Sequence, residues 1–257
     1  MYFRLVCNAD YIQAAECLPI EARGRQCVPN SLMFLITAYE NQPCKYIDSN
    51  CLNDILCAGS QLYCALYESI CSSSGLMDPA DMPQCIRYKG STVYIKHTAV
   101  ISGFIEEDVQ ADNINCHTLE YAITAGNTTG RKYILVFCAV SIGLYFDGSP
   151  SEFYVFDSHS RDSTGMSCPN GSCVLGAVKS SAICAYIRLL STSLSASGGK
   201  TQFDLHIFAL SKKWVSVPYS VNILGNGQGW MYYRITAKCA EMDSSLQTVT
   251  DSVYCRP

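Results

Sequence analysis

Charge is scarce in this chain: Asp, Glu, Lys and Arg make up 16% of its 257 residues, and the formal net charge is -4. There is no basic stripe and no block of like charge, which argues against recognition of nucleic acid through its phosphates. Long apolar runs are missing too. The longest, Tyr133 to Phe146, is interrupted by Ser141 and Gly143 and falls short of the roughly 18 residues of a membrane span, so it reads as a core strand. The first ten residues, Met1 to Asp10, lack the apolar stretch and small-residue cleavage site of a signal peptide. No internal repeat occurs. Histidine is sparse, with four residues in all, so the candidates for a general base are quickly enumerated.

Cysteine is abundant, at 16 residues, and 49% of the chain is hydrophobic. That composition suits one large domain, or a domain with an appendage, around a sizeable core. Without secretion, most of the cysteines are expected to be reduced thiols acting as small hydrophobes. The sequons at Asn127 and Asn170 then carry no meaning. Cys57, Cys64 and Cys71 recur every seven residues, with Cys51 nearby. On a helix that spacing separates successive thiols by about 10 Å along one face. Zn–S bonds are about 2.3 Å, so one metal cannot bridge them, and the stripe reads as core. Cys168 and Cys173 flank a Pro-Asn-Gly turn, but no second pair has fitting spacing. The chain is therefore expected to need no metal or other cofactor.

The first third reads as helical. Pro29 suits a first helical turn, and Leu32, Leu35, Ile36 and Tyr39 recur at helical spacing. Leu52, Ile55, Leu56, Leu62, Leu66 and Ile70 predict a second helix, bent near Gly59. From residue 91 onward strand patterns dominate: Ser91–Phe104, Arg131–Ile142, a strand ending at Asp157, Val174–Val178 and Gln202–Leu210. Short helices are expected at Thr118–Ala125 and Ser181–Leu194, and residues 160–173 read as a mobile Ser/Gly/Pro loop. Beyond Trp214 the pattern weakens, with Trp230–Ala237 as an edge strand. Residues 1–213 are thus expected to form the main domain and 214–257 a C-terminal extension.

The most informative segment is Tyr154-Val155-Phe156-Asp157-Ser158-His159, where an Asp and a His stand two apart at the end of an apolar run. In a strand, residues i and i+2 share a face, so the Asp157 carboxylate can orient the His159 imidazole as a general base. A nucleophile must come from elsewhere. Cys27, in Gly24-Arg25-Gln26-Cys27-Val28-Pro29-Asn30, lies at a predicted helix start, where the positive end of the helix dipole favours a thiolate. Together these residues suggest a Cys-His-Asp hydrolase. An oxyanion would need donors, which the backbone N–H of Cys27 and a side-chain amide can supply. Gln13 and Gln26 are the candidates, and Gln26, next to the nucleophile, is expected to point away from it. Asp204-Leu205-His206 is a competing Asp-x-His in a predicted central strand, read as a structural hydrogen bond. His97 and His117 lack a carboxylate at that spacing.

On these residues the chain resembles the ubiquitin-specific cysteine protease domain of the herpesvirus large tegument protein. The resemblance rests on three blocks in order: Gly24 to Cys27 with Asn30 and Phe34-Leu35, then Leu52, Ile55, Leu56, Gly59 and Leu62, then Tyr154 to His159. It covers roughly residues 5 to 212. It implies an α+β, papain-like fold, with a helical lobe carrying Cys27 packed on a mostly antiparallel sheet carrying Asp157 and His159. It also implies cleavage after the C-terminal glycine of ubiquitin, with Gln13 as the family's oxyanion glutamine if a small gap is allowed. The expected partner is ubiquitin or a ubiquitin conjugate, with no nucleic acid and no membrane, for a monomer acting inside the host cell or in the virion tegument. Alternatives are a cysteine protease for another ubiquitin-like modifier or a viral polyprotein, and a catalytically inactive ubiquitin-binding module.

Overall fold

The computed structural model describes residues 2–41, 44–70, 75–106, 116–148, 151–195, 200–212, 219–225, 231–237 and 249–254. For 69–70, 129 and the last three segments it describes the backbone alone. Cys71, Trp214 and Trp230 lie outside the described residues.

The chain opens with a strand, β1 (Phe3–Asn8), followed by an irregular segment and two helices, α1 (Cys27–Glu40) and α2 (Ser49–Ile70). Helix α1 is buried along almost its whole length, from Cys27 to Ala38. This explains why its sequence is apolar on every side rather than along one stripe. Helix α2 runs unbroken through Gly59, where a bend was expected. The glycine serves a close approach instead: a Cβ at that position would collide with the Asn30 side chain of α1. Removing that side chain lets the two helix backbones pack together.

A hairpin follows, β2 (Cys85–Tyr88) and β3 (Ser91–Phe104), then β4 (His117–Thr118) and α3 (Leu119–Thr129). Thr118 caps α3 by accepting from the Tyr121 N–H. Where one strand was expected over Arg131–Ile142, there are two, β5 (Lys132–Phe137) and β6 (Val140–Gly148). Cys138 and Ala139 between them both take positive φ, at 49° and 58°. Such a tight turn usually announces itself as Asn-Gly or Asp-Gly, and Cys-Ala carries no such signal.

Strand β7 (Ser151–Arg161) and strand β8 (Ser172–Lys179) extend into the expected loop from both sides. Residues 162–171 between them are tied down rather than loose. Asp162 accepts from Thr164 and Met166, and the Ser160 hydroxyl bonds the Cys168 carbonyl and receives the Gly171 N–H. Loop composition predicted mobility because Ser and Asp side chains that fold back onto the backbone are indistinguishable, by composition, from solvated ones. Helix α4 (Ile183–Leu194) and strand β9 (Gln202–Ser211) follow. Then come β10 (Tyr219–Gly225), β11 (Met231–Ala237) and β12 (Val249–Tyr254).

The strands form one mixed sheet in the order β1-β8-β7-β6-β5-β9-β3-β2-β10-β11-β12, with β4 beside β3. Among the described residues, only the β10–β2 and β3–β4 pairings are parallel. The expected edge strand, β11, is interior: it pairs with β10 on one side and β12 on the other. No pattern in residues 249–254 had predicted the outer strand.

Two apolar layers result. One joins α1 and α2 to one sheet face, through Ile134, Tyr145, Tyr154, Phe156 and Phe208. The other joins α3 and α4 to the opposite face, through Tyr133, Leu135, Leu144, Phe153 and Val155. The alternation along β5 and β7 assigns successive residues to opposite layers. Phe34 of α1 stacks on Phe156 of β7 with ring centroids 5.1 Å apart. A Cβ at Gly143 would press on the Phe34 ring at 2.7 Å, so the glycine lets α1 lie close over β6. Burying each of these phenylalanines contributes about 1.5–3 kcal/mol, and the stack sets the height of α1 above β7.

Candidate active site

Cys27 is the first residue of α1, and no side chain caps that terminus among the described residues. Pro29 has no N–H, and the first helical bond runs from the Asn30 N–H to the Gln26 carbonyl at 2.9 Å. The backbone N–H groups of Cys27 and Val28 thus stand at the positive end of the helix. The thiol is buried, and it is hydrogen-bonded to the His159 imidazole and to Ser141 on β6. Phe34 stacking on Phe156 about two turns further along α1 keeps Cys27 facing the end of β7.

On β7, His159 Nδ1 lies 2.7 Å from Asp157 Oδ1, which also accepts the His159 backbone N–H at 2.9 Å. The other carboxylate oxygen, Oδ2, accepts from Arg161 Nε at 2.7 Å. Asp157 is fully buried and the Arg161 side chain is 2% exposed, whereas the His159 side chain keeps 19% exposure. Four residues of a regular strand span about 13 Å, too far for a short bond between positions 157 and 161. The strand is not regular there. Pairing with β8 runs to Asp157↔Val174 and resumes at Arg161↔Ser172, four positions against two. This bulge turns the Arg161 guanidinium back onto Asp157.

The electrostatics follow from that arrangement. Burial by itself would raise the Asp157 carboxyl, but the charges of His159 and then Arg161 outweigh it and hold the group well below the usual carboxylate range. Burial would likewise neutralise His159, yet the Asp157 charge and hydrogen bond raise it to about 9. For Cys27, burial pushes the thiol up, and the hydrogen bond and charge of His159, with Ser141, more than reverse it. A thiolate–imidazolium pair is the state these neighbours favour. By contrast, the buried Cys173 thiol is pushed far up by desolvation and by Asp157, as suits an inert core thiol.

Gln13 lies in the irregular segment after β1 and is buried against β7. Its N–H donates to the Ser158 carbonyl at 3.0 Å, and its Oε1 accepts the Ser158 hydroxyl at 3.0 Å. Gln26 is fully buried, and its Nε2 donates to the Gln13 carbonyl at 2.6 Å and to Ser60 Oγ of α2 at 3.1 Å. That amide is thus committed to holding the Gln13 segment against both helices.

The second Asp-x-His differs from the expected pair. Asp204 accepts from Ser102 and His206 meets His97, Nδ1 to Nε2 at 3.1 Å, so no hydrogen bond joins Asp204 to His206. Along a regular strand i and i+2 stand almost 7 Å apart, and each side chain finds a partner on β3, where Ser102 lies directly opposite Asp204. His117 stacks on Tyr121 at the start of α3.

Sequence reasoning passed over Arg161, Ser141 and Ser158. Arg161 had a readable signal, its place in the alternation Asp-x-His-x-Arg. Ser141 had none, since its relation to Cys27 depends on how α1 sits over β6.

Comparison with known proteins adds a family and a fold. The sequence profile of the herpesvirus tegument protein N-terminal conserved region matches residues 8–213. No curated protein matches the sequence. Among solved structures, the chain is similar to the ubiquitin-specific protease encoded by a murine cytomegalovirus tegument protein, solved in complex with a ubiquitin-based suicide substrate. The TM-score is 0.66 at 16% identity, over 84% of this chain and 89% of that one. The profile match extends over most of the sequence, and the chain belongs to the herpesvirus tegument protein N-terminal region family.

Proposed function

We propose that this chain is a papain-like cysteine protease that removes ubiquitin, hydrolysing the bond after the C-terminal glycine, with Cys27, His159 and Asp157 as its triad and Gln13 as an oxyanion donor. The observation that carries the reading is the hydrogen-bonded chain from the Cys27 thiol through His159 to the buried Asp157. The family membership and the ubiquitin-based substrate of the structural neighbour supply the substrate class. The protease unit is assigned to residues 1–213 and an extension to 214–257. Its place of action is the virion tegument and the interior of the infected cell.

In this mechanism the Cys27 thiolate attacks the carbonyl carbon of the terminal glycine. The C=O π pair moves to oxygen, which is met by the backbone N–H of Cys27 and the side-chain amide of Gln13. His159 gives its proton to the departing lysine amine, and the C–N bond breaks to leave a thioester on Cys27. A water then loses a proton to His159 and attacks the thioester, and the C–S bond breaks to restore the thiolate and release the carboxylic acid, which loses its remaining proton to solvent. Asp157 keeps the imidazole in the tautomer with Nδ1–H throughout and stabilises its charged form.

Labelling by a ubiquitin probe with a C-terminal electrophile tests the reading. A single adduct on Cys27 is expected. Failure to label, with labelling by the corresponding probe of another ubiquitin-like protein, would assign a different modifier. Tight ubiquitin binding without an adduct would identify an inactive binding module.

Two further outcomes follow. Replacing Gln13 by Ala is expected to lower kcat about a hundredfold with KM nearly unchanged, because the oxyanion exists only after attack. A rise in KM alone would make Gln13 a substrate-binding residue. The pH profile of kcat/KM is expected to fall on the alkaline side with an apparent pKa near the about 9 of His159, since above it the imidazolium that protonates the leaving group is lost. Asp157→Asn removes the charge that raises His159, so this limb should move to lower pH. A limb unmoved by that substitution would mean that it reports another group.

A further inference from the structure

The residue between the two members of the Asp-x-His pair has no place in the chemistry so far. Ser158 takes no part in the hydrogen bonds that join Asp157 to His159 and Arg161. It is fully buried and meets Gln13 twice, once through its carbonyl and once through its hydroxyl. The Ser158 hydroxyl proton has no acceptor other than Gln13 Oε1 among the described residues, so burial leaves it that one choice. A carboxamide has two chemically different ends, and a proton delivered from Ser158 selects the oxygen end to face β7.

The other polar groups of Gln13 are then committed. Its N–H goes to Ser158, and its carbonyl receives Gln26 Nε2 and the Gly24 N–H at 3.3 Å. Only Nε2 is without a partner among the described residues. A buried amide with three of its groups anchored and its donor end unassigned is preorganised to give a hydrogen bond to something that arrives.

We infer that Ser158 is a positioning residue for the oxyanion hole: its hydroxyl holds the Gln13 carboxamide with the donor end toward the developing oxyanion. The tripeptide Asp157-Ser158-His159 thereby orients the base through Asp157 and the oxyanion donor through Ser158. This rests on the proposed roles of Cys27 and Gln13.

The test combines a double-mutant cycle with a measurement that needs no turnover. With a ubiquitin C-terminal fluorogenic amide, Ser158→Ala should lower kcat roughly tenfold, the scale of one lost positioning hydrogen bond, with KM unchanged. In a Gln13→Ala background, Ser158→Ala should cause no further loss, because there is no amide left to orient. Ser158→Thr, which keeps the hydroxyl, should recover most of the rate. Alkylation of Cys27 by iodoacetamide, which forms no oxyanion, should proceed at the wild-type rate in Ser158→Ala. Equal losses in both backgrounds, or a loss confined to KM, would overturn the assignment.

The side-chain NH₂ resonances of Gln13, identified by their loss in Gln13→Ala, provide the second arm by 15N relaxation. A drop in order on Ser158→Ala is expected, and an amide equally ordered without the hydroxyl would refute the inference even if Ser158→Thr failed to fold. A wild-type protein that fails to hydrolyse the ubiquitin amide would defeat the functional reading, while this relaxation measurement would still decide whether Ser158 orients Gln13.

Discussion

Cys27→Ala is expected to abolish hydrolysis of a ubiquitin C-terminal amide, a fall of roughly 10⁶-fold in kcat, the scale seen when a nucleophile–base unit loses its nucleophile. The fold should survive. The substitution removes one sulfur at the first turn of α1, while the packing of Phe34 on Phe156 and of α1 on α2 is untouched. A small cavity of that kind costs on the order of 1 kcal/mol. Circular dichroism melting of the variant beside the wild type separates the two effects: a native transition with no turnover is the expected pair of results. Turnover persisting in a Cys27→Ala preparation verified by mass spectrometry would refute Cys27 as the nucleophile.

His159→Ala is expected to be nearly as damaging, because the thiolate and the imidazolium form and act together. Without the imidazole, burial is opposed only by the smaller effect of Ser141 and pushes the Cys27 thiol up, so little thiolate is present at neutral pH. The leaving amine also loses its proton donor. Combining His159→Ala with Cys27→Ala should therefore reduce the rate no further than either change alone. His206→Ala provides the contrast. His206 is held by His97 on β9 and β3 and has no bond to Asp204, so its loss should leave kcat/KM within a few-fold of the wild type. If His206→Ala stopped turnover and His159→Ala did not, the base would have to be reassigned.

Asp157→Asn should be milder than either. An amide can still accept from the imidazole, so a fraction of the enzyme keeps a usable tautomer, whereas the loss of the carboxylate charge lowers the His159 pKa. Arg161 would then face an uncharged partner in a buried setting, which adds a stability cost that the pH profile does not contain.

Local pattern carried a large part of this architecture. The apolar spacing from Leu32 to Tyr39, with Pro29 in the first turn, marked α1, and that alone put Cys27 at a helix start. Alternation along Tyr154 to His159 marked β7 and brought Asp157 and His159 onto one face. These are short-range properties, set by the helical and strand periods and by what the dipole of a helix favours, and they need no knowledge of the rest of the chain. The limits of local pattern show at the β5–β6 turn, where Cys138 and Ala139 take a left-handed conformation that their side chains do not favour, held by the six paired residues on either side. Tertiary pairing overrode propensity there.

What only the tertiary structure decided is the meeting of segments far apart in sequence. β1 pairs with β8, and β9 inserts between β5 and β3, so the sheet order does not follow chain order. The same long-range assembly set Gln13 against Ser158, Gln26 against Ser60, and Cys27 beside Ser141 and His159. It also committed Arg161 to Asp157, through a bulge that exists only because β8 pairs with β7 on both sides of it. Sequence determined which chemical groups were available and which neighbours within a few residues shared a face. Burial of the two apolar layers determined which distant groups came within hydrogen-bonding reach, because those contacts form only when the whole sheet closes over α1 and α2 on one face and α3 and α4 on the other.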